Sequence, residues 1–155
     1  MDLYKYTLVI YILLVTLTVK QGESSLVTDS CATTQEPDIC VTTFNEDPRS
    51  AQVANITELI QLGMEISVRQ ANETCAAIDN LKTWATDEKG KSNLDVCAVA
   101  YRDVPQTIGV EGLEMFDNHN YTGASNCIRS LGDAALACNE TGENQMAYRL
   151  SLIHI

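Results

Sequence analysis

The sequence predicts an all-α fold, an antiparallel four-helix bundle behind an N-terminal helical hairpin, disulfide-stapled, and three observations carry that expectation. Apolar residues recur every three or four positions over residues 49–85, 94–116 and 121–139. Strand-like alternation is absent. The first stripe covers roughly 35 residues, ~50 Å of helix at ~1.5 Å per residue, and only neighbouring helices bury a stripe that long. With 155 residues, 45% of them hydrophobic, the chain has material for one domain with a real core. It contains no internal repeat, low-complexity tract or domain boundary.

Residues 1–22 read as a secretory signal peptide: Lys5 precedes the uncharged run 7–19, too short to cross a bilayer of ~30 Å, and Gly22 and Ser24 suit cleavage. Residues 23–155 are then the bundle domain, with 20 acidic and 8 basic residues and a net charge of −12. Residues 24–44 place Cys31 and Cys40 on two short helical turns that meet at Pro37, a hairpin that a Cys31–Cys40 bond would staple. Asp47-Pro48 breaks the chain, with Asp47 or Ser50 as cap of the next helical segment. The first long helix carries Val53, Ile56, Ile60, Met64, Ala71, Cys75, Ile78 and Leu81 inward, and Glu58, Gln61, Glu65, Arg69 and Asn72 outward. Residues 87–93, with Gly90 central, read as the turn. The second helix presents Leu94, Cys97, Tyr101, Val104, Ile108 and Leu113, with a break near Val104 because Pro105 removes a backbone donor. After the polar loop 117–120, the third helix aligns Ala124, Cys127, Ile128, Leu131, Ala134, Ala135 and Cys138. A short fourth helix over residues 143–155, on Met146, Leu150 and Ile153, completes the bundle.

Six cysteines in an exported domain imply disulfides, because the secretory route is oxidising. Cys127 and Cys138 are ~16 Å apart along one helix, too far to pair. Antiparallel packing brings Cys97, early in the second helix, beside Cys138, late in the third. Cys75 and Cys127 then either bond to each other or stay as buried thiols. N-x-S/T sequons at Asn55, Asn72, Asn120 and Asn139 make these four asparagines glycosylation candidates.

The residue inventory argues against an enzyme and names no cofactor and no metal site. There is no G-x-S-x-G, H-E-x-x-H, P-loop or C-x-x-C, and the two histidines, His119 and His154, are far apart. His119 reads as a solvated loop residue, His154 as part of the last helix, Trp84 as half-buried at a helix end, and Tyr101 and Tyr121 as structural. A net charge of −11 disfavours nucleic acid and anionic lipid, leaving no membrane role after signal cleavage, and suits a basic protein partner.

The ordered set of Cys31 and Cys40 around Pro37-Asp38, Asp47-Pro48-Arg49-Ser50 before a long helix, Cys97 with Tyr101, and Asn120-Tyr121 before a helix ending in Ala134-Ala135 and Cys138 resembles the plant invertase and pectin methylesterase inhibitor family. The likeness spans residues 24–138. It implies the same hairpin and bundle, and bonds Cys31–Cys40 and Cys97–Cys138. Cys75 and Cys127 are additional to the family's usual four cysteines, and the 17 residues after Cys138 are fewer than relatives carry. The resemblance further implies a secreted inhibitor that blocks a plant carbohydrate-active enzyme of the cell wall or vacuole by stoichiometric protein–protein contact. Pectin methylesterase is the expected target, since the chain lacks the Pro-Lys-Phe segment of invertase inhibitors. Acid invertase is the alternative, and a non-inhibitory helical carrier or signalling protein the second. Nothing in the residues selects the docking face.

Overall fold

A computed structural model describes residues 25–140, which are helical without a strand among them. The signal peptide expected at residues 1–22 and the fourth helix expected at 143–155 lie outside the described residues. The chain divides into two compact units at Asn55/Ile56.

The first unit is the hairpin, α1 (Ser25–Cys31) and α2 (Pro37–Asn45), followed by a 3-10 turn, Pro48–Gln52. Pro37 opens α2, where a missing N–H costs nothing, with Asp38 in the first turn. Thr33 and Thr34 donate their hydroxyls to the carbonyls of Ser30 (3.0 Å) and Cys31 (2.8 Å), occupying acceptors left over at the end of α1. The Cys31–Cys40 disulfide, Cα–Cα 5.6 Å, joins the two helices. Of the two candidate caps, Asp47 is the one used: its Oδ1 accepts from the Arg49 backbone N–H (3.1 Å) and from Arg49 Nε (3.0 Å), and Oδ2 from Nη2 (2.9 Å). This fork neutralises a carboxylate that is 3% exposed. Ser50 is buried and donates instead to the carbonyls of Phe44 and Asp47. The Asp47-Pro48-Arg49-Ser50 run is therefore a self-satisfied turn.

The second unit comprises α3 (Ile56–Trp84), α4 (Glu88–Tyr101), α5 (Val104–Gln106), a π-helical segment (Thr107–Gly112), α6 (Leu113–Asp117) and α7 (Tyr121–Glu140). The turn expected at 87–93 is shorter. Asp87 takes an extended conformation and its carboxylate accepts from the Gly90 N–H at 2.6 Å, so capping starts α4 at Glu88 and puts Gly90 inside the helix. α3 and α4 are antiparallel. Lys82, at the end of α3, pairs with Asp95 midway along α4 (2.6 Å), whereas Cys75, further back, reaches Tyr101 at the end of α4. α4 packs on α3 and on α7, and the Cys97–Cys138 disulfide (Cα–Cα 4.6 Å) ties it to the end of α7.

The core holds Met64, Ala71, Ile78, Leu94, Tyr101, Ile108, Phe116, Ala124 and Ala134, largely the stripes read from periodicity. Three isoleucines depart from them. Ile56 (50% exposed), Ile60 (38%) and Ile128 (36%) lie outside, while Leu59, Leu62 and Ile66 are buried. Apolar residues occupy more than one face in the first half of α3, so spacing there does not choose among them.

The break near Val104 is present: α4 ends at Tyr101, Arg102-Asp103 turn, and the chain resumes through Pro105 into the π segment. A Cβ on Gly112 would meet Met64 Cε at 2.9 Å and Cys127 Cβ at 3.1 Å, so glycine here lets the π segment lie against α3 and α7. α6 ends in a Schellman arrangement, with the N–H of Asn120 on the Met115 carbonyl (2.8 Å) and that of His119 on Phe116 (2.9 Å). Asn120 then caps α7, its Oδ1 accepting from the Gly123 N–H at 3.0 Å.

Candidate docking surface

The two bonds expected from helix geometry, Cys31–Cys40 and Cys97–Cys138, are both present. Of the alternatives for Cys75 and Cys127 the structure holds the second: both are free thiols, so the third pair is not formed. Each is occupied elsewhere. Cys75 Sγ donates to the Tyr101 carbonyl at 3.5 Å, and Cys127 Sγ lies 3.9 Å from Met115 Sδ beneath the π segment. Burial pushes the Cys75 thiol up, with Asp79 adding to the effect, which holds it in the poorly nucleophilic protonated form. Tyr101 is 1% exposed, and desolvation, then the neighbouring Cys75, raises its phenol to about 12. Tyr101 is structural, as expected.

His119 is exposed in the 117–120 loop at φ 62°, its Nδ1 3.0 Å from the Asp117 carbonyl and its ring stacked on Tyr121. Tyr121, though 57% exposed, also packs edge-on against Phe116, which fixes the α6–α7 corner. Trp84 is not half-buried. It is 77% exposed, because it ends α3 beyond the last packed turn, and Asn80 Oδ1 holds its Nε1 at 3.0 Å. His154 lies outside the described residues.

A groove of about 320 Å³ lies in the second unit between α4–α5 and α7. Its floor is Ala100, Val104, Ala134 and Ala137, and its rim is Asp103, Thr107, Ser130 and Asp133. The origin is steric. Alanines face one another across two helices that the Cys97–Cys138 bond holds close, and methyl groups do not fill the space between them. Ser130 does not fill it either, because its hydroxyl turns back to the Cys127 carbonyl at 2.6 Å. Beside the groove α4 exposes Val96 (41%) and Val99 (61%), off the stripe of Leu94, Cys97 and Tyr101. An apolar floor, two rim carboxylates and flanking exposed valines form the pattern of a protein-docking patch with a polar rim. No titratable residue there combines with others into a catalytic arrangement, and among the described residues no group of three metal-ligating side chains converges.

Sequence reasoning placed Val104 and Ala134 on core stripes and read none of the groove residues as a docking surface. The available signal was Val96 and Val99: two large apolar residues in a helix whose core stripe is already complete without them. Asn72, Asn120 and Asn139 are exposed, and so is Asn55 in the first unit. No helix among the described residues is long and apolar enough to cross a membrane.

The family model described as plant invertase/pectin methylesterase inhibitor matches residues 25–149. A pectinesterase inhibitor from Actinidia deliciosa is 26% identical over 123 residues, which cover 79% of this chain and 65%, just under two thirds, of that protein.

Proposed function

From the premise that this chain belongs to the plant invertase/pectin methylesterase inhibitor family, we propose that it is a secreted inhibitor of pectin methylesterase, acting by stoichiometric docking of its α4–α7 face. The observation that carries this reading is the groove: a preformed apolar floor on a disulfide-braced helix pair, flanked by Val96 and Val99 and rimmed by Asp103 and Asp133. The Cys97–Cys138 bond (Cα–Cα 4.6 Å) ties the two helices together, so they lose little freedom on association and the surface can block an enzyme's cleft at a small ordering penalty. The similarity to a pectinesterase inhibitor supports this target over acid invertase. The net charge of −11 supports a partner with a basic surface, and location in the cell wall follows from that target.

Titration of the purified full chain against pectin methylesterase, with acid invertase in parallel, tests the proposal. Loss of methylesterase activity that saturates near equimolar inhibitor is expected. Ala137→Arg, which places a long cation on the groove floor, should weaken inhibition at least about tenfold. Unchanged methylesterase activity at saturating chain would overturn the reading, and selective loss of invertase activity would replace the target.

A further inference from the structure

We propose that Asn72 and Asn120 carry N-linked glycans, and that within the helical unit this modification leaves the α4–α7 groove as the bare face; the second half rests on the docking reading above. The placement of the sequons relative to the groove carries the inference. Asn72 lies on α3, which contributes no residue to the groove. Asn120 precedes α7 by one residue, ten residues before Ser130, or ~15 Å along the helix. Asn139 is turned roughly 200° from Ala137 about the α7 axis, on the far flank.

The side chains themselves are compatible with a sugar. Asn120 spends only its carbonyl oxygen, as the cap accepting from Gly123, and no described residue accepts from its Nδ2. Asn72 donates one N–H to the Val68 carbonyl at 3.0 Å, which leaves its second N–H. Attachment replaces one such hydrogen: Nδ2 bonds to the anomeric carbon of a lipid-pyrophosphate-linked oligosaccharide, and that carbon's bond to the pyrophosphate oxygen breaks. The pyrophosphate leaves with the electron pair, and the amide gives up one proton. Thr74, the hydroxyl residue of the Asn72 sequon, is buried and donates to the Gln70 carbonyl at 2.9 Å. Asn72 is therefore modified before α3 packs, whereas exposed Thr122 leaves Asn120 open to modification in the folded chain as well. A specific interface covers ~800 Å² per partner, which a branched oligosaccharide at its centre would prevent. The groove face carries no sequon.

The full chain secreted from a eukaryotic host, treated with a peptide N-glycosidase, reports occupancy as Asn-to-Asp conversion in peptide masses. Conversion at Asn72 and Asn120 is expected, with inhibition of pectin methylesterase unchanged to within about twofold after glycan removal. Ile128→Thr creates a new sequon beginning at Asn126, one helical turn before Ser130. A glycan at Asn126 should weaken inhibition at least about tenfold and the glycosidase should restore it, while Ile128→Val, of similar size but without a sequon, inhibits like the parent. If Asn126 stays unmodified, Ala100→Asn with Arg102→Thr places the sugar on the groove itself. Unmodified Asn72 or Asn120, inhibition that rises when native glycans are removed, or full inhibition by a groove-glycosylated variant would each overturn the proposal. A chain that inhibits neither enzyme in any glycan state defeats the inhibitor reading and the docking half with it; the peptide masses still decide the modification.

Discussion

The thiol of Cys75 on α3 donates to the carbonyl oxygen of Tyr101 on α4 at 3.5 Å. In an uninterrupted helix that carbonyl would receive the N–H of residue 105, which is proline and has none. The extra cysteine thus supplies a donor where the helix break removes one. Cys75→Ala should cost about 1–2 kcal/mol in urea unfolding, from the lost hydrogen bond and a small void, while Cys75→Ser keeps a donor and recovers part of it. Equal destabilisation by both substitutions would show that the bond is immaterial.

The same pair predicts alkaline behaviour. Tyr101 is raised to about 12 from an ordinary 10, and Cys75 is raised as well. For an acid raised in the folded state, the unfolded chain loses its proton first, so the stabilisation is complete below the unfolded pKa and disappears as pH climbs through the folded one. Stability should therefore fall between pH 10 and 12, by up to about 3 kcal/mol from Tyr101. Denaturant midpoints at pH 9 and 11 measure it. Tyr101→Phe should show a shallower fall, and an identical slope would assign the loss to other groups.

Glycine at two helical positions has opposite meaning. Gly112→Ala sets a Cβ 2.9 Å from Met64 and 3.1 Å from Cys127, and should destabilise by about 1–3 kcal/mol as the π segment is pushed off α3 and α7. Gly132→Ala meets nothing within 4 Å on α7 and should stabilise by about 0.5–1 kcal/mol. Thermal melts of the two variants should shift in opposite directions.

His119 adopts φ 62° at the end of α6. Glycine occupies that conformation without the Cβ conflict, so His119→Gly should raise stability by about 1 kcal/mol, offset in part by loss of the ring stack on Tyr121. Asn120→Ala should lower it by about 1 kcal/mol through loss of the α7 cap.

Charge should appear in the kinetics of docking. With Asp103 and Asp133 on the groove rim and a net charge of −11, association with pectin methylesterase should slow severalfold as salt rises, with dissociation nearly constant. Stopped-flow association at low and high ionic strength measures this, and a rate independent of salt would remove electrostatic steering from the account.

Helical periodicity, the proline at 105 and the cysteine spacings determined the all-helical fold, the break after α4 and the two bonds, because each is a local rule about turns, donors or reach. The exposed Ile56, Ile60 and Ile128, the free thiols and the exposed Trp84 were settled by tertiary packing. Periodicity states that a residue can face a neighbour; which neighbour is present, and how near, depends on residues far away in the chain. The groove is the clearest case. Ala100 and Ala137 are unremarkable in sequence, and become a surface because the Cys97–Cys138 bond sets two small-residue faces side by side, with no large side chain among the residues that line the gap.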